Sequence, residues 1–296
     1  MFVPVFVLAG CAAPTNGIYG LEGPTEVDPP TVVGAFVASP GVPEAAAAAT
    51  VVVPWNDPDA IRAAVEQHEP AAILAEPYPA NMGLVLPQPG FLELLRELAT
   101  ESGALLVFDE VISGFRVSPG GAQELSGVIP DLTVMGKVIG GGLPAAAYGG
   151  SVELMERIAP AGDVYQAGTL SGNPLAVAAG LATLQALDEE SYLQLAETTR
   201  SLAAGLREAA GSRPVQVAET TGLLTVFFSA EPVRDYAGAA ACDLDAHAAW
   251  CRELLARGVY APPSQFEAWF PSLAHTPEHV DRTVEAAAAA FAEIAG

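Results

Sequence analysis

Short, almost wholly apolar runs alternate with helical patterns in the first half of this chain. The runs at 71–75, 104–108 and 132–135 are four or five residues long, and polar residues close each of them. The segments at 57–68 and 91–102 instead carry apolar residues three or four positions apart. Strands that are apolar on both sides belong in a parallel sheet with helices on both faces. The sequence therefore predicts an α/β fold with a mostly parallel sheet.

Helix boundary signals divide the rest of the chain. Pro174 suits the first position of a helix that runs to about Leu187, with Ser171 or Asn173 as its cap. Beyond residue 190 the patterns predict helices and a strand at 223–229, which is typical of a smaller α+β domain. We predict an irregular leader over 1–38, a large domain over 39–190 and a small C-terminal domain over 191–296.

Composition excludes several classes of partner. The 296 residues are 51% hydrophobic and carry a net charge of −23, which repels nucleic acid and anionic membranes. No apolar run reaches the roughly 18 residues of a membrane span. The three cysteines have neither metal-ligand nor disulfide-framework spacing, and His275 and His279 have no acidic or cysteine partner in sequence. We expect a cytoplasmic protein without a metal site.

Polar residues follow three of the predicted strands. Asn81 comes after the first run, Asp109 directly closes the second, and Lys137 comes two residues after the third. Ligands of open α/β sheets bind beyond the carboxyl ends of the strands. We therefore expect these three side chains to share one binding site.

Lys137 is the single lysine of the chain, since 11 of the 12 basic residues are arginine. A guanidinium stays protonated, whereas a primary amine can lose its proton and condense with an aldehyde. This points to a Schiff-base lysine. The alternative is a surface lysine left over in an arginine-biased composition, and the count alone favours neither.

Nearby residues match what pyridoxal phosphate requires of a protein. Asp109 can pair with the ring nitrogen, and Val111 can press on the ring face. Gly168 and Thr169 belong to a glycine-rich turn before Pro174, where backbone N–H groups and the helix dipole favour an anion. Each has a plainer alternative: an aspartate that caps a turn, a valine in the core, and an ordinary helix cap.

Four segments together resemble the class III pyridoxal-phosphate-dependent aminotransferase family, and within it the aminomutases. They are LLVFDEVISGFRV (105–117), GVIPDLTVMGKVIGGGLPAAAYGG (127–150), APAGDVYQAGTLSGNPLAVAAG (159–180) and PPSQFEAWFPSLAHT (262–276). The resemblance covers about 39–296. It implies fold type I of the pyridoxal-phosphate-dependent transferases, with an incomplete large domain, because the family's N-terminal Gly-Ser-Thr phosphate loop has no match here.

The resemblance also implies roles for single residues. Lys137 would be the Schiff-base lysine and proton shuttle, and Asn81 would lie by the ring hydroxyl. Thr169 would reach the phosphate of the neighbouring subunit's cofactor, with Gly168 beside it, which implies a homodimer. Glu267 would lie near the substrate, where related transaminases often hold an arginine.

The implied reaction is an intramolecular amino exchange that converts glutamate-1-semialdehyde to 5-aminolevulinate, a tetrapyrrole precursor. Two alternatives stay open. One is a different class III aminotransferase that acts on an ω-amino substrate and passes the amino group to an external keto acid. The other is a truncated chain without catalytic activity.

Overall fold

A central parallel sheet organises the first half of the protein. The computed structural model describes residues 5–8, backbone only, and residues 50–294. Six strands of the described residues form the sheet: β1 (Val5–Leu8), β2 (Thr50–Val53), β3 (Ala72–Ala75), β4 (Leu105–Asp109), β5 (Leu132–Met135) and β6 (Ala147–Gly150). Their order is β2-β1-β3-β4-β5-β6, and only β6 runs antiparallel to its neighbour. The predicted α/β class with a mostly parallel sheet is confirmed.

Strand β1 departs from the irregular conformation predicted for the first 38 residues. Val5–Leu8 pairs in parallel with β2 on one side and with β3 on the other. Four residues without glycine or proline are enough to fill a gap between two strands that both offer unpaired backbone groups. The rest of the predicted leader lies outside the described residues.

Helices pack on the sheet and build the second half of the chain. The first half contains α1 (Pro58–His68), α2 (Phe91–Ser102), α3 (Gly121–Ser126), the 3₁₀ turn Lys137–Gly140, α4 (Val152–Met155) and α5 (Pro174–Ala186). The second half contains α6 (Glu189–Ala210), β7 (Gln216–Thr220), β8 (Leu223–Phe227), α7 (Tyr236–Ala240), α8 (Leu244–Ala256) and α9 (Pro277–Glu293). Strands β7 and β8 form a separate antiparallel pair.

The predicted helix boundaries at α1, α2 and α5 are confirmed. Asp57 caps α1 by accepting a hydrogen bond from the Ala60 N–H at 2.9 Å. Gly103 ends α2 in the left-handed conformation. Of the two caps considered for α5, the structure selects Asn173, whose Oδ1 accepts from the N–H groups of Leu175 and Ala176.

Strands β6 and β7 are missing from the sequence prediction for a physical reason. Strand β6 is the short run Ala-Tyr-Gly-Gly at a sheet edge, and β7 is half-buried along its whole length. Neither shows the apolar run or the alternation that marks a strand. Tertiary pairing, rather than local pattern, makes them strands.

The described residues form two main apolar cores, one against the sheet and one among the C-terminal helices. The sheet core includes Ile73, Leu95 and Phe108, all fully buried. The second core lies between α6, α8 and α9, where the Trp250 and Phe291 rings stack at 4.9 Å. A third cluster contains residues from both halves of the chain. The domain boundary near residue 190 stays a prediction.

No helix within the described residues is long and apolar enough to cross a membrane.

The second core encloses an ionisable side chain, His247, which is 3% exposed. Its ring lies edge-on to the Phe228 ring at 5.7 Å, and the Cys251 Sγ lies 3.6 Å from its Nε2. Burial lowers the pKa of His247 from 6.5 to about 4, and burial raises the pKa of Cys251 to about 11. This pair is therefore a neutral imidazole beside a neutral thiol at pH 7.

His247 predicts an acid-sensitive stability. Between pH 6.5 and pH 4 the unfolded chain binds a proton at His247 that the folded chain does not. The free energy of unfolding therefore decreases as the pH falls. The total is roughly 3 kcal/mol across that window. We expect His247→Gln to lose less stability than the parent between pH 7 and pH 4.5, measured by urea unfolding at each pH. Equal losses in both proteins would contradict this assignment.

Candidate active site at the carboxyl edge of the sheet

The first element of the candidate site is the end of β4. Asp109 is the last residue of that strand and pairs in register with Val134 of β5. Its Oδ1 accepts a hydrogen bond from the Val111 N–H at 3.0 Å, which closes a tight turn. The side chain is thereby held at the sheet's carboxyl edge, where the sequence predicted a ligand-binding carboxylate. The contact that the turn-capping alternative describes is present, and one oxygen of the carboxylate makes it.

Glu110 stabilises the turn that follows it through hydrogen bonds. Its role was not predicted from the sequence. Its carboxylate is buried and accepts hydrogen bonds from the Ser113 hydroxyl at 2.8 Å and from the Ala122 N–H at 2.7 Å. It accepts two more from Gln123, through the backbone and the side chain. A buried carboxylate at the first turn of α3 satisfies N–H groups that would otherwise lack partners. The signal in the sequence was a helix start at Gly120-Gly121 without a side-chain cap of its own.

Val111 lies against the residue that precedes the lysine. A Cβ atom on Gly136 would lie 3.2 Å from the Val111 Cγ1. The valine is half-buried, so it is part of neither of the two main cores. The structure therefore brings Asp109, Val111 and the start of the Lys137 turn to the ends of two neighbouring strands.

Lys137 opens the 3₁₀ turn and is exposed to solvent. Its φ of +43° is in the left-handed region, which costs free energy in any residue with a side chain and is frequent at functional sites. Helix α5 supports this turn at close range. A Cβ on Gly180 would lie only 2.0 Å from the Ile139 carbonyl oxygen, and one on Gly141 only 2.4 Å from that of Ala179.

Asn81 is oriented by Glu76, a second residue that the sequence reasoning missed. The Asn81 Nδ2 donates to the Glu76 Oε1 at 2.9 Å, and the Ala80 N–H donates to the Glu76 Oε2 at 3.3 Å. Glu76 directly follows β3, and an acidic residue at the end of an apolar strand was the available signal. Because the amide nitrogen of Asn81 is engaged by Glu76, its Oδ1 is left to accept a hydrogen bond from a ligand.

Glu267 belongs to a loop that reaches the Asn81 segment. The Gly83 N–H donates to the Phe266 carbonyl at 2.7 Å, so the residue before Glu267 is hydrogen-bonded two positions after Asn81. Glu267 itself is exposed. Backbone hydrogen bonds between Leu224 and Trp269, in both directions, hold the loop to β8. The loop and the carboxyl edge of the sheet are thus joined directly.

The close packing around Gly83 allows a steric test of the contact between the Glu267 loop and the Asn81 segment. Gly83 has φ +76°, and a Cβ there would lie 2.5 Å from the Phe227 Cζ, whose ring is 1% exposed. We expect Gly83→Ala to lower the free energy of unfolding by about 3 kcal/mol, from overpacking and left-handed strain together. The measurement is urea unfolding. Gly90→Ala is the matched control, because Gly90 has φ +85° but open space around its Cβ position. Equal losses in the two variants would contradict the steric explanation.

Gly168 and Thr169 lie on an exposed loop before α5. The Ser171 N–H donates to the Gly168 carbonyl at 3.0 Å. Two amides at the start of α5 already donate to Asn173, so the anion site predicted there would depend on the loop amides and the Thr169 hydroxyl. Among residues 50–294, no hydrogen bond connects Gly168 or Thr169 with Asp109, Asn81 or Lys137.

Tyr78 lies three residues before Asn81 and within electrostatic reach of the Glu110 carboxylate. The pKa of Tyr78 is raised above 10.0 by burial and secondarily by the Glu110 carboxylate. Its phenol therefore remains a protonated hydrogen-bond donor at neutral pH.

His275 and His279 form hydrogen bonds with Ser272 and Thr276 at the start of α9. No three potential metal ligands come together in the part of the chain that the structure describes.

Comparison with known proteins places this arrangement in a family. The sequence profile of the class III aminotransferases matches residues 31–291. The chain belongs to the class III aminotransferase family. Its fold is accordingly fold type I of the pyridoxal-phosphate-dependent transferases, and the fold implied by the sequence resemblance is confirmed.

Individual curated proteins are also similar to this chain. The glutamate-1-semialdehyde 2,1-aminomutase of Desulforudis audaxviator is 55% identical over 258 residues, which are 86% of this chain and 60% of that protein. The protein of the same name from Syntrophobacter fumaroxidans is 54% identical, with the same coverage. The chain therefore spans about 60% of the length of these curated relatives.

Solved structures also superpose on the chain. An omega-transaminase from Sphaerobacter thermophilus gives a TM-score of 0.85 at 32% identity, over 99% of this chain and 69% of that one. A glutamate-1-semialdehyde aminomutase from Pseudomonas aeruginosa PAO1, solved in complex with PMP, gives a TM-score of 0.80 at 28% identity, over 99% and 66%.

Proposed function

We propose that this class III aminotransferase binds pyridoxal phosphate and converts glutamate-1-semialdehyde to 5-aminolevulinate by intramolecular amino exchange. The observation that carries the proposal is the convergence of Asp109, Val111 and the Lys137 turn at the ends of two neighbouring strands. The aminomutase name of the relatives that are 54–55% identical supports the choice of substrate. The Glu267 loop, joined to the Asn81 segment, supports it too.

The side chains present fit the cofactor's chemistry. Pyridoxal phosphate supplies an aldehyde that condenses with amines and a ring that withdraws electrons from the attached carbon. The Asp109 carboxylate, held by its turn, keeps the ring nitrogen protonated. Val111 covers one ring face and excludes water from it. The Asn81 Oδ1 accepts a hydrogen bond from the ring hydroxyl.

Lys137 has two tasks in this proposal. Its primary amine would hold the cofactor covalently and, when free, would accept and donate protons as a general base and acid. The left-handed backbone at Lys137 and the close support from α5 hold the amine at the sheet edge. Glu267 favours the amino groups of the substrate, whereas an arginine in its place would favour a second carboxylate.

We also propose a homodimer in which Thr169, with Gly168 beside it, reaches the phosphate of the partner subunit's cofactor. Exposed apolar side chains on α5 and in the loop before it support this. Leu175 is 74% exposed and Leu181 56%, while Tyr165 of the preceding segment is 83% exposed. Large apolar side chains exposed in such number along one segment are characteristic of covered interfaces. Sedimentation of the parent and of Leu175→Glu tests it, and a parent monomer at micromolar concentration would refute it.

The remaining proposals concern organisation and place. We propose that residues 39–190 form the cofactor-binding part and residues 191–296 the smaller domain. We propose a cytoplasmic location, for which the absence of a disulfide framework in the sequence is the support.

Borohydride reduction followed by peptide mass spectrometry tests the cofactor assignment. We expect a reduced pyridoxyl adduct on the peptide that contains Lys137. Amino exchange assayed without any external keto acid then tests the aminomutase activity. A folded protein with no adduct at Lys137 would refute the proposal.

A second function has one specific observation in its favour. The omega-transaminase from Sphaerobacter thermophilus superposes at a TM-score of 0.85. A transaminase of that kind would pass its amino group to an added keto acid and would be inactive without one. The same assay, run with and without pyruvate, therefore separates the two functions.

A further inference from the structure

Arg116 connects the cofactor side of the proposed site to the loop that carries Glu267. It lies seven positions after Asp109 in sequence, and its Nη1 donates to the Gly222 carbonyl at 3.0 Å and to the Pro271 carbonyl at 3.2 Å. The guanidinium carbon lies 5.1 Å from the centroid of the Phe270 ring. The ion pairs found among the described residues do not include Arg116.

The two carbonyls that Arg116 binds lie just beyond the last backbone hydrogen-bonded pair between β8 and the Glu267 loop. Leu224 and Trp269 exchange both of their backbone hydrogen bonds, at 2.7 and 3.2 Å. In antiparallel register, the next hydrogen-bonded pair would be Gly222 and Pro271. Pro271 has no N–H with which to reach the Gly222 carbonyl. Both carbonyls would lack partners without a donor from elsewhere.

The Gly222 amide is also unavailable to that ladder. It donates instead to the Thr199 hydroxyl oxygen on α6 at 3.0 Å. The turn requires glycine, because φ is +74° and a Cβ would lie 3.0 Å from Leu195 and 3.2 Å from the Arg116 Nη1. The Arg116 guanidinium therefore donates to both carbonyls of the Gly222–Pro271 pair, which cannot bond each other through backbone N–H groups.

The near end of Arg116 is anchored as well. The Tyr192 hydroxyl on α6 donates to the carbonyl of Phe115 at 2.9 Å, and Phe115 has a left-handed φ of +55°. Burial lowers the pKa of Arg116, with Tyr192 acting in the opposite direction as a lesser cause. A guanidinium placed partly out of water, with carbonyls and a ring around it, costs free energy, which suggests a role beyond packing.

We propose that Arg116 is a positioning residue that holds the Glu267 loop in register with the Asp109 turn. The substrate part of this inference depends on the proposed function, because Glu267 is assigned to the substrate there. Without the guanidinium the loop is released at Pro271, four residues after Glu267, while the Asp109–Val111–Lys137 arrangement keeps its own contacts. Substrate binding should suffer, and cofactor binding should not.

Amide hydrogen exchange of the full chain tests the coupling. We expect exchange in peptides covering 220–224 and 266–273 to be about tenfold faster in Arg116→Met, the effect of losing hydrogen bonds to a charged donor. Arg116→Lys should restore part of the protection, since an ammonium can still reach a carbonyl. Arg213→Met is the matched control: Arg213 donates to the Ala210 carbonyl and lies 5.7 Å from the Phe291 ring, and its hydrogen bond among the described residues is not to the loop.

A kinetic split tests the positioning role. In Arg116→Met we expect the KM for glutamate-1-semialdehyde to rise about tenfold. The yield of reduced adduct at Lys137 should stay unchanged. Unchanged exchange at 266–273, or an increase matched by Arg213→Met, would overturn the coupling. Faster exchange with an unchanged KM would overturn the substrate role. A parent protein without an adduct at Lys137 would refute the proposed function, and the exchange result would still decide the coupling.

Discussion

Replacement of Lys137 by arginine is expected to abolish covalent cofactor binding and to lower amino exchange by about 10³-fold or more. Arginine keeps the positive charge and the length of the side chain, but a guanidinium neither condenses with the aldehyde nor accepts a proton at neutral pH. The absorbance band of the bound cofactor near the visible edge should vanish in both Lys137→Arg and Lys137→Ala. Borohydride reduction should then leave the peptide unlabelled.

Stability separates a chemical role of Lys137 from a structural one. The side chain is exposed and lies outside the apolar cores, so we expect Lys137→Arg to unfold within 0.5 kcal/mol or so of the parent in urea. A variant that loses the band and also unfolds early would reflect damage to the turn rather than the missing amine. A Lys137→Arg variant that retains a reducible adduct would remove the basis of the proposed function.

Gly180→Ala is expected to weaken cofactor binding about tenfold or more without unfolding the protein. The added methyl would lie 2.0 Å from the Ile139 carbonyl oxygen, and backbone cannot move aside as a flexible side chain can. Relief of 1–3 kcal/mol or so of overpacking requires α5 and the Lys137–Gly140 turn to separate. Alanine also favours the helix by about 1 kcal/mol over glycine, which offsets part of the cost. Titration with pyridoxal phosphate, followed by absorbance, measures the change in affinity.

A second helical glycine provides the matched control. A Cβ on Gly205 in α6 would lie 2.3 Å from the Val284 Cγ2, in the second core and away from the lysine turn. Gly205→Ala should therefore lower stability and leave the cofactor affinity unchanged. If Gly180→Ala bound the cofactor as tightly as the parent, the close packing of α5 would not be what positions Lys137.

The sequence predicted those parts of the fold that depend on local pattern. Strands β3, β4 and β5 are apolar runs that only a covered parallel sheet can accommodate. Helices α1, α2 and α5 lie where the apolar spacing and Pro174 placed them. The polar residues at strand ends followed from the same reasoning, since parallel strands bring their carboxyl ends to one edge. Asp109, Val111 and Lys137 were therefore accessible to prediction as a group.

Other features have no local signal. Glu76 and Glu110 act through hydrogen bonds that depend on how a turn folds back, and in sequence each is one acidic residue among 35. The contact between Gly180 and Ile139 joins residues 41 positions apart, and its importance lies in the absence of a side chain. Arg116 is one of 11 arginines, and nothing near it in sequence indicates the two carbonyls that it binds.

The amino-acid sequence by itself determined the fold class, and it located the strand-end residues of the proposed site and the single side-chain amine, because apolar periodicity and side-chain chemistry are local properties. Only the tertiary structure decided how that amine is held, which carboxylates orient its neighbours, and how the Glu267 loop is joined to the sheet. Those depend on distances between residues far apart in the chain, and such distances arise only when packing closes the molecule on itself.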